Sequence, residues 1–227
     1  MATPTYAGIQ GRVFSVTGGT SGMGHATVRL LASNGAAEVW VADWNVSRGD
    51  EIIAEMATVN PNTKVHITKV DVSDSKQVDA WVSSIVAATG GLLHGCANVA
   101  GLPQNPSMEA GPALLQQDDD SWAKVLGVNL SGVMYCTRAQ VREMIKMPKG
   151  SHQSIVNVSS MASLIHGPGG MYAYTASKAG CAHFTTCVAK DVYPYGIRAN
   201  TVSPGTRLPT FPVVCCFSPP LFDYILN

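Results

Sequence analysis

Apolar and β-branched residues cluster in short runs along the chain, and stretches of mixed polarity separate one run from the next. Each run has the length of a β-strand. The runs begin at Arg12, Glu38, Val65, Leu93, Ser154 and Ile197, and they read RVFSVTG, EVWVAD, VHITKVD, LHGCANVAG, SIVNVSS and IRANTVSP. We therefore predict a strand at each of these positions.

The stretches between the strands carry the periodicity of helices. Helices are predicted for HATVRLLASNGA from His25, DSKQVDAWVSSIVAATGG from Asp74 and DDDSWAKVLGVNLSGVMYCTRAQVREMIK from Asp118. The acidic run Asp118–Asp120 is predicted to cap the last of them, at the positive end of its dipole. Regular alternation of strands and helices predicts a parallel sheet covered on both faces, with the ligand site at the carboxyl ends of the strands.

A glycine-rich segment, TGGTSGMGHAT, follows the first predicted strand and leads into a predicted helix. Gly18, Gly22 and Gly24 let the backbone approach a ligand, and the N–H groups of a helix N-terminus can hold a pyrophosphate. The spacing is TGxxxGxG rather than the common GxGxxG, and a glycine-rich turn can also be an ordinary loop. The position between a strand and a helix favours the pyrophosphate site.

An acidic residue, Asp43, ends the second predicted strand, 19 residues beyond Gly24. A carboxylate at this position can accept hydrogen bonds from both hydroxyls of a dinucleotide ribose, and it repels a 2′-phosphate. This favours NAD over NADP. The alternative is an acidic residue that only stabilises a turn, and Arg48 is expected to be the only nearby cation that would favour NADP.

Two tyrosines and a lysine lie together in MYAYTASKAG, residues 171–180. Because a helix turns 100° per residue, Tyr174 and Lys178 share one face, whereas Tyr172 points elsewhere. A fixed ammonium group nearby favours the phenolate form of a tyrosine, which can then act as a base. Tyr174 and Lys178 are therefore the candidate acid–base pair, although an amphipathic helix with a surface lysine would show the same spacing.

The composition limits the classes of partner. The chain has 227 residues, a formal net charge of zero and only 13% charged residues, so we expect no face that binds nucleic acid or an anionic membrane. No apolar run has signal-peptide length or the ~18 residues of a membrane span, which predicts a soluble, cytoplasmic protein. The 46% share of hydrophobic residues fits a homo-oligomer, a dimer or tetramer, as well as it fits a generous core.

Cysteines and histidines show no spacing typical of metal ligands. The six cysteines include no CxxC pair and the six histidines no HxH or HExxH motif, so neither a disulfide nor a metal site is predicted. Cys96, Cys136, Cys181 and Cys187 lie in apolar segments, where cysteine is usually a small core residue.

Further motifs accompany these in a fixed order. TGGTSGMG, the DV of Asp71 and Val72, NVAG from Asn98 to Gly101, Asn129, VSS and YTASK together cover residues 12–205. In this order they resemble the motifs of the short-chain dehydrogenase/reductase family. The resemblance implies a Rossmann-type, doubly wound parallel sheet in a three-layer α/β/α arrangement. It also implies a nicotinamide cofactor and hydride transfer between that cofactor and a small-molecule secondary alcohol or ketone.

The resemblance assigns roles to individual residues. Tyr174 would be the general acid–base, and Lys178 would favour its phenolate and hold the nicotinamide ribose. Ser160 would steady the substrate oxygen, and Asn129 would anchor a proton-relay water. Ser159 is predicted to be only a structural hydroxyl. The implied cofactor site comprises Gly18, Thr20, Ser21, Gly22, Met23, Gly24, Asp43, Asp71, Val72, Asn98, Ala100, Gly101, Tyr174, Lys178, Pro204 and Gly205. Within this set Asp71 would meet the adenine, and Asn98 would support the strand beside the cofactor.

Two departures from the family pattern are small. Val99 stands where a second asparagine is common, at a position whose side chain takes no part in the reaction. Ser160 lies 14 residues before Tyr174, one more than is usual, and the segment HGPGG can absorb the extra residue.

The third departure is at the carboxyl end of the sequence. Beyond Gly205 the segment TRLPTFPVVCCFSPPLFDYILN contains four prolines and predicts no regular helix. We therefore expect a dinucleotide-binding dehydrogenase domain over residues 1–205, a divergent tail over residues 206–227 and a sheet without the last strand of the family. Two hypotheses follow, an active dehydrogenase and a catalytically impaired nucleotide-binding remnant that lacks a substrate-covering segment.

Overall fold

The computed structural model describes residue 6 and residues 8–104, 111–165 and 170–205. These residues form a six-stranded, all-parallel sheet in the order β3-β2-β1-β4-β5-β6. The strands are β1 Val13–Thr17, β2 Glu38–Asp43, β3 Lys64–Lys69, β4 Gly95–Asn98, β5 Ser154–Val158 and β6 Arg198–Val202. The helices are α1 Gly22–Ser33, α2 Gly49–Val59, α3 Ser75–Ala88, α4 Asp119–Leu126, α5 Val133–Met144 and α6 Tyr172–Val192. The predicted strands and the doubly wound, Rossmann-type arrangement are confirmed.

Strand β1 lies at the centre of the sheet and is buried along its whole length. Its alternate side chains enter two different cores, because successive residues of a strand point to opposite faces. Val13 packs in the core that includes helices α3 and α5, whereas Phe14 and Val16 pack in the core that includes helices α1 and α2. Burial on both faces explains why this strand reads as an almost continuous apolar run.

Helix α2 lies between β2 and β3, where we predict no specific helix from the sequence. Only Ile52 and Met56 of its eleven residues are buried, so its apolar stripe is narrow. Val59 also packs against the core, so Ile52, Met56 and Val59 recur at helical spacing and the sequence does carry a signal for this helix. The crossover between two parallel strands requires a helix at the same place.

The long helix predicted from Asp118 begins as expected. The Asp118 side chain accepts a hydrogen bond from the Ser121 N–H at 2.6 Å, and Asp119 and Asp120 occupy the first turn, so the capping role of this acidic run is confirmed. The helix is not regular, however, because a π-helical turn over Gly127–Gly132 separates α4 from α5. Such turns are frequent at functional sites, and this one contains Asn129.

Three of the four cysteines predicted to be core residues are buried, namely Cys96, Cys136 and Cys181. The prediction is wrong for Cys187, which is exposed because its position on α6 faces away from the sheet. Among the described residues, no cluster of His, Cys, Asp and Glu side chains could hold a metal ion. No helix in that part of the chain is long and apolar enough to cross a membrane. The predictions for residues 206–227 and for most of the HGPGG segment (166–169) lie outside the described residues.

Candidate active site

The order of the strands reverses at β1, whose neighbours are β2 on one side and β4 on the other. The connections after β1 and β4 therefore leave in opposite directions and open a crevice at the carboxyl ends of these strands. Thr17, the last residue of β1, joins the two sides of the crevice. Its Oγ1 accepts hydrogen bonds from the N–H groups of Val99 at 3.1 Å and Ala100 at 3.2 Å.

The glycine-rich segment after β1 is packed too closely for side chains at three positions, one of which is Gly19, where a Cβ would lie 2.6 Å from Val41 Cγ1. Gly18 has a φ of +69°, and a Cβ there would lie 2.8 Å from the Cα of Ala100. A Cβ on Gly24 would overlap the carbonyl oxygen of Gly18. Helix α1 begins at Gly22, after the N-cap residue Ser21. The first N–H groups of this helix have no acceptor within it, and Ser21 provides no side-chain cap.

Asp43 lies at the carboxyl end of β2 and holds the glycine-rich segment in place. Its Oδ2 accepts from the Thr20 N–H at 3.1 Å, and its Oδ1 accepts from the Asn45 N–H at 3.1 Å. The Thr20 hydroxyl in turn donates to the Asn45 carbonyl at 3.0 Å. The carboxylate therefore stabilises a turn. Each of its oxygens retains a lone pair with which it can also accept a ligand hydroxyl.

Two cations lie near this strand end. Arg48 pairs with Glu51 through two hydrogen bonds, of 2.6 and 3.0 Å. Lys69 is the register partner of Asp43 on β3, and its Nζ lies 5.1 Å from the centroid of the exposed Trp44 ring. The expectation that Arg48 is the only nearby cation is therefore wrong, because the pairing of β3 with β2 brings Lys69 to the same edge.

Asp71 and Val72 lie in the turn between β3 and α3. The Asp71 Oδ1 accepts from both the N–H and the hydroxyl of Ser73, at 2.9 and 2.6 Å. Val72 is buried, and its Cγ2 would lie 3.0 Å from a Cβ on Gly132. Val72 thus packs against the π-helical turn.

Asn98, the last residue of β4, is buried with its side chain in a polar network behind the sheet. Its Nδ2 donates to Gln140 Oε1 at 3.0 Å and to Asn157 Oδ1 at 2.8 Å, and Gln140 returns a bond of 2.9 Å to Asn98 Oδ1. Asn98 thus links β4 to β5 and α5, and its side chain does not line the crevice.

Asn129 is fully buried in the π-helical turn. Its side-chain amide binds both backbone groups of Leu102, accepting from the N–H at 2.7 Å and donating to the carbonyl at 3.0 Å. Its Nδ2 also donates to the Ser177 hydroxyl at 3.2 Å. Asn129 therefore connects the segment after β4 to helix α6.

Lys178 is the buried cation of the site. Its Nζ donates to the Val158 carbonyl at 2.8 Å and lies 5.8 Å from the centroid of the Tyr174 ring. Burial lowers the pKa of Lys178, because surroundings of low polarity disfavour the ammonium form. The Ser159 hydroxyl donates to the Lys178 carbonyl at 2.6 Å, which confirms its predicted structural role.

Ser160 follows β5 and caps a short 3₁₀ turn, where its Oγ accepts from the Ala162 N–H at 3.1 Å. The next residue, Met161, donates its N–H to the Pro204 carbonyl at 2.9 Å. A Cβ on Gly205 would lie 3.9 Å from the Met161 sulfur. The segment after β6 therefore lies beside the segment that carries Ser160.

Gly101 lies where several of these groups meet. A Cβ at this position would lie 3.3 Å from both Asn129 Oδ1 and Lys178 Nζ. Because glycine has no side chain, this space stays open beside a cation and an amide at the carboxyl end of β4. The structure thus brings Asn129, Lys178 and Tyr174 together at the crevice.

Comparison with known proteins agrees with this geometry. The sequence profile of the family described as short chain dehydrogenase matches residues 12–211. The chain belongs to the short-chain dehydrogenase/reductase family.

Curated relatives of this short-chain dehydrogenase include enzymes from fungi. The chain is 51% identical to the chanoclavine-I dehydrogenase of Arthroderma otae, over 91% of this chain and 78% of the relative. It is 49% identical to the chanoclavine-I dehydrogenase of Penicillium roqueforti, over the same shares of the two chains.

Solved structures of the family share the fold. A short chain dehydrogenase from Mycobacterium smegmatis aligns with a TM-score of 0.80 and 29% identity, over 92% of this chain and 82% of that one. NAD⁺-bound xylitol dehydrogenase aligns with a TM-score of 0.77 and 30% identity, over 87% and 71% of the two chains. Levodione reductase has the same TM-score and 31% identity, over 86% and 72%.

The crevice of this short-chain dehydrogenase fits a nicotinamide cofactor. Close packing at Gly18 and Gly24 keeps the turn compact, and the exposed Gly22 leaves backbone accessible to a pyrophosphate at the N-terminus of α1. Gly101 leaves space beside Lys178 at the other side of the switch point. A bound cofactor would supply a hydride acceptor or donor.

Three residues of the crevice are missing from the predicted site. Thr17 is the first residue of the TGGTSGMG motif, and that position is a signal by which the sequence could have placed it in the site. Ser177 binds Asn129 and lies in the YTASK motif. Gln104 accepts a hydrogen bond from the Tyr174 N–H at 3.0 Å. No local pattern marks Gln104, because it reaches helix α6 across 70 positions of sequence.

Proposed function

We propose that this short-chain dehydrogenase is an NAD-dependent alcohol dehydrogenase that uses Tyr174 as its general acid–base. The observation that carries the proposal is the burial of Lys178 beside the Tyr174 ring, at the crevice where the cofactor site opens. A buried ammonium group without a nearby anion is costly. A Tyr174 phenolate would provide that anion and would be the base that the reaction needs.

In the proposed reaction Tyr174 removes the hydroxyl proton of the alcohol, and a bound nicotinamide would supply the acceptor for the hydride. The Ser160 hydroxyl donates to the substrate oxygen and stabilises the charge that develops there. Lys178 would hold the nicotinamide ribose, and Asn129 would anchor a water through which the proton leaves the site. In the reverse direction Tyr174 donates the proton to a carbonyl.

The proposed preference for NAD rests on charges at the end of β2. Asp43 would accept hydrogen bonds from the adenosine ribose and repel a 2′-phosphate. Arg48 is paired with Glu51, and Lys69 is held over the Trp44 ring, so both nearby cations already have partners. A 2′-phosphate would have to draw one of them away from its partner.

The proposed substrate follows from the relatives. Two of the chain's relatives at about half identity are named chanoclavine-I dehydrogenase, and each aligns over most of its length. We infer that chanoclavine-I, or an alcohol similar to it, is the substrate. Secondary alcohols, the class expected from the sequence, serve as the other substrates in the assay. We also propose that the protein is a homo-oligomer in the cytoplasm.

The test measures cofactor binding and turnover in one preparation. NAD and NADP are titrated by calorimetry, and NADH formation is followed with chanoclavine-I and with a panel of secondary alcohols. The proposal expects tighter binding of NAD and turnover of chanoclavine-I. Binding of NAD without turnover of any alcohol would instead identify a nucleotide-binding remnant.

A further inference from the structure

Helix α6 begins without a conventional cap. The first N–H groups of a helix have no acceptor within it, and Ser, Thr, Asp or Asn at the N-cap usually provides one. The N-cap residue here is Met171, whose thioether is a weak acceptor. The N–H of Tyr174 instead donates to Gln104 Oε1 at 3.0 Å.

Gln104 is held at the other end of its amide as well. Its Nε2 donates to Gln117 Oε1 at 2.6 Å, and Gln117 Nε2 donates to the Asp118 carbonyl at 2.9 Å. Asp118 is the N-cap residue of α4. Because both donor and acceptor of the Gln104 amide are engaged, its Oε1 has a fixed position relative to α4 as well as α6.

The segment that carries Gln104 is also anchored two residues earlier. Leu102 exchanges two backbone hydrogen bonds with the buried side chain of Asn129, at 2.7 and 3.0 Å. The few residues after β4 thus contact the main chain of Tyr174 through Gln104 and the side chain of Asn129 through Leu102. Tyr174 and Asn129 both belong to the proton path proposed above.

We propose that Gln104 is a positioning residue for Tyr174, an inference that rests on the acid–base role of Tyr174 in the proposed function. A bond to the third N–H of the helix holds the backbone from which the phenol extends, and thereby holds the phenol relative to Lys178. Small displacements are costly in catalysis, since about 1 Å can lower a rate by up to ~100-fold. A substrate-binding role for Gln104 would differ, because it would change KM rather than kcat.

The first test replaces the acceptor while keeping the shape of the side chain. Gln104→Met is unbranched and of similar length, but it cannot donate and accepts only weakly. We expect kcat to fall about tenfold, with KM for the alcohol and Kd for NAD within about twofold of wild type.

Two variants of the same network separate positioning from general damage. Gln104→Glu keeps an acceptor for the Tyr174 N–H at the positive end of the helix. Gln117 can turn its amide to donate to the other carboxylate oxygen, in exchange for its bond to the Asp118 carbonyl. Gln104→Glu should restore most of kcat at the pH plateau. Gln117→Met removes only the hydrogen bond that Gln104 donates to Gln117, and it should lower kcat by about twofold to threefold. Gln10→Met, at an exposed position in the turn before β1, is the matched control and should change nothing.

A readout that needs no turnover is hydrogen exchange at the Tyr174 amide in the NAD-bound protein. Exchange should be about fivefold faster in Gln104→Met, and unchanged in Gln104→Glu and Gln10→Met, since one hydrogen bond contributes roughly 1 kcal/mol. Unchanged exchange in Gln104→Met overturns the proposal, as does a variant in which only KM changes or in which Gln104→Glu fails to restore kcat. If wild type turns over no alcohol, the proposed function fails, and the exchange experiment still decides whether Gln104 holds Tyr174.

Discussion

On the β1-β2-β3 side of the sheet, the candidate site is built from main chain: the tight packing of Gly18 and Gly24, the first turn of α1 and the turn held by Asp43. On the β4-β5-β6 side it is built from side chains that cross between distant elements, such as Asn129 to Leu102 and Lys178 to Val158. The first side lies within a short piece of sequence. The second exists only once α5, α6 and the strands have packed.

This difference matches what the two sides would do. A pyrophosphate is bound well by backbone N–H groups, whose positions depend on local turn geometry. Proton transfer needs a few groups held at exact mutual distances, and buried hydrogen bonds between separate elements provide that rigidity. Variants on the two sides should therefore separate cofactor binding from chemistry.

The largest expected effect is on the chemical side. Tyr174→Phe should lower kcat by ~10²- to 10⁴-fold and leave the Kd for NAD nearly unchanged, because it removes only the group that transfers the proton. Tyr172→Phe, two residues earlier on the same helix, is the control and should retain turnover. Equal losses in the two variants would show that the acid–base group has been misassigned.

The next effect is on the cofactor side. Gly24→Ala places a Cβ against the Gly18 carbonyl, and the shift needed to avoid this overlap should cost about 1–3 kcal/mol of stability and weaken NAD binding. Thermal unfolding and calorimetric titration measure the two quantities.

Gly22→Ala is the comparison for that variant. Its φ is +52° but no atom outside its neighbours lies within 4 Å of the added Cβ, so we expect a cost of only about 1 kcal/mol from backbone conformation. If the two alanine variants behave alike, close packing at Gly24 is not what shapes the cofactor side.

A smaller effect should distinguish the two cofactors. NAD should bind wild type at least tenfold more tightly than NADP, which corresponds to about 1.4 kcal/mol. Asp43→Asn keeps an acceptor for one of the two N–H groups that Asp43 binds and removes the negative charge, so it should narrow the difference between the affinities for NAD and NADP. Lys69→Met should widen the difference between the affinities for NAD and NADP, because it removes a cation from the same edge of the sheet. Wild-type protein that prefers NADP would contradict the role assigned to Asp43.

The smallest expected effect is on the pH dependence of stability. Burial lowers the pKa of Lys178 in the folded state, so its ammonium form destabilises the fold below that lowered pKa. The penalty disappears as the pH rises through the folded pKa towards the ordinary value near ~10.4. The melting temperature of Lys178→Met should therefore be no lower than that of wild type at pH 7. Any excess of the variant's melting temperature over that of wild type should shrink towards pH 10. The exposed Lys190→Met on the same helix is the control, and a lower melting temperature for Lys178→Met at pH 7 would refute the argument.

The sequence by itself determined the strands, the parallel sheet and the elements whose signals are local. Helix α4 could be placed from its acidic cap, the glycine-rich turn from its motif and the pairing of Tyr174 with Lys178 from helical spacing. The physical reason is that capping, strand burial and helical periodicity each act over a few neighbouring residues.

The tertiary structure decided everything that depends on which elements meet. The π-helical turn around Asn129 interrupts a helix whose sequence pattern is continuous. Lys69 reaches the end of β2 only through strand pairing. Gln104 contacts Tyr174 only because the fold brings together two residues that lie 70 positions apart in the sequence. Hydrogen bonds of this kind leave no periodic trace, because neither partner constrains the residues beside it in the chain.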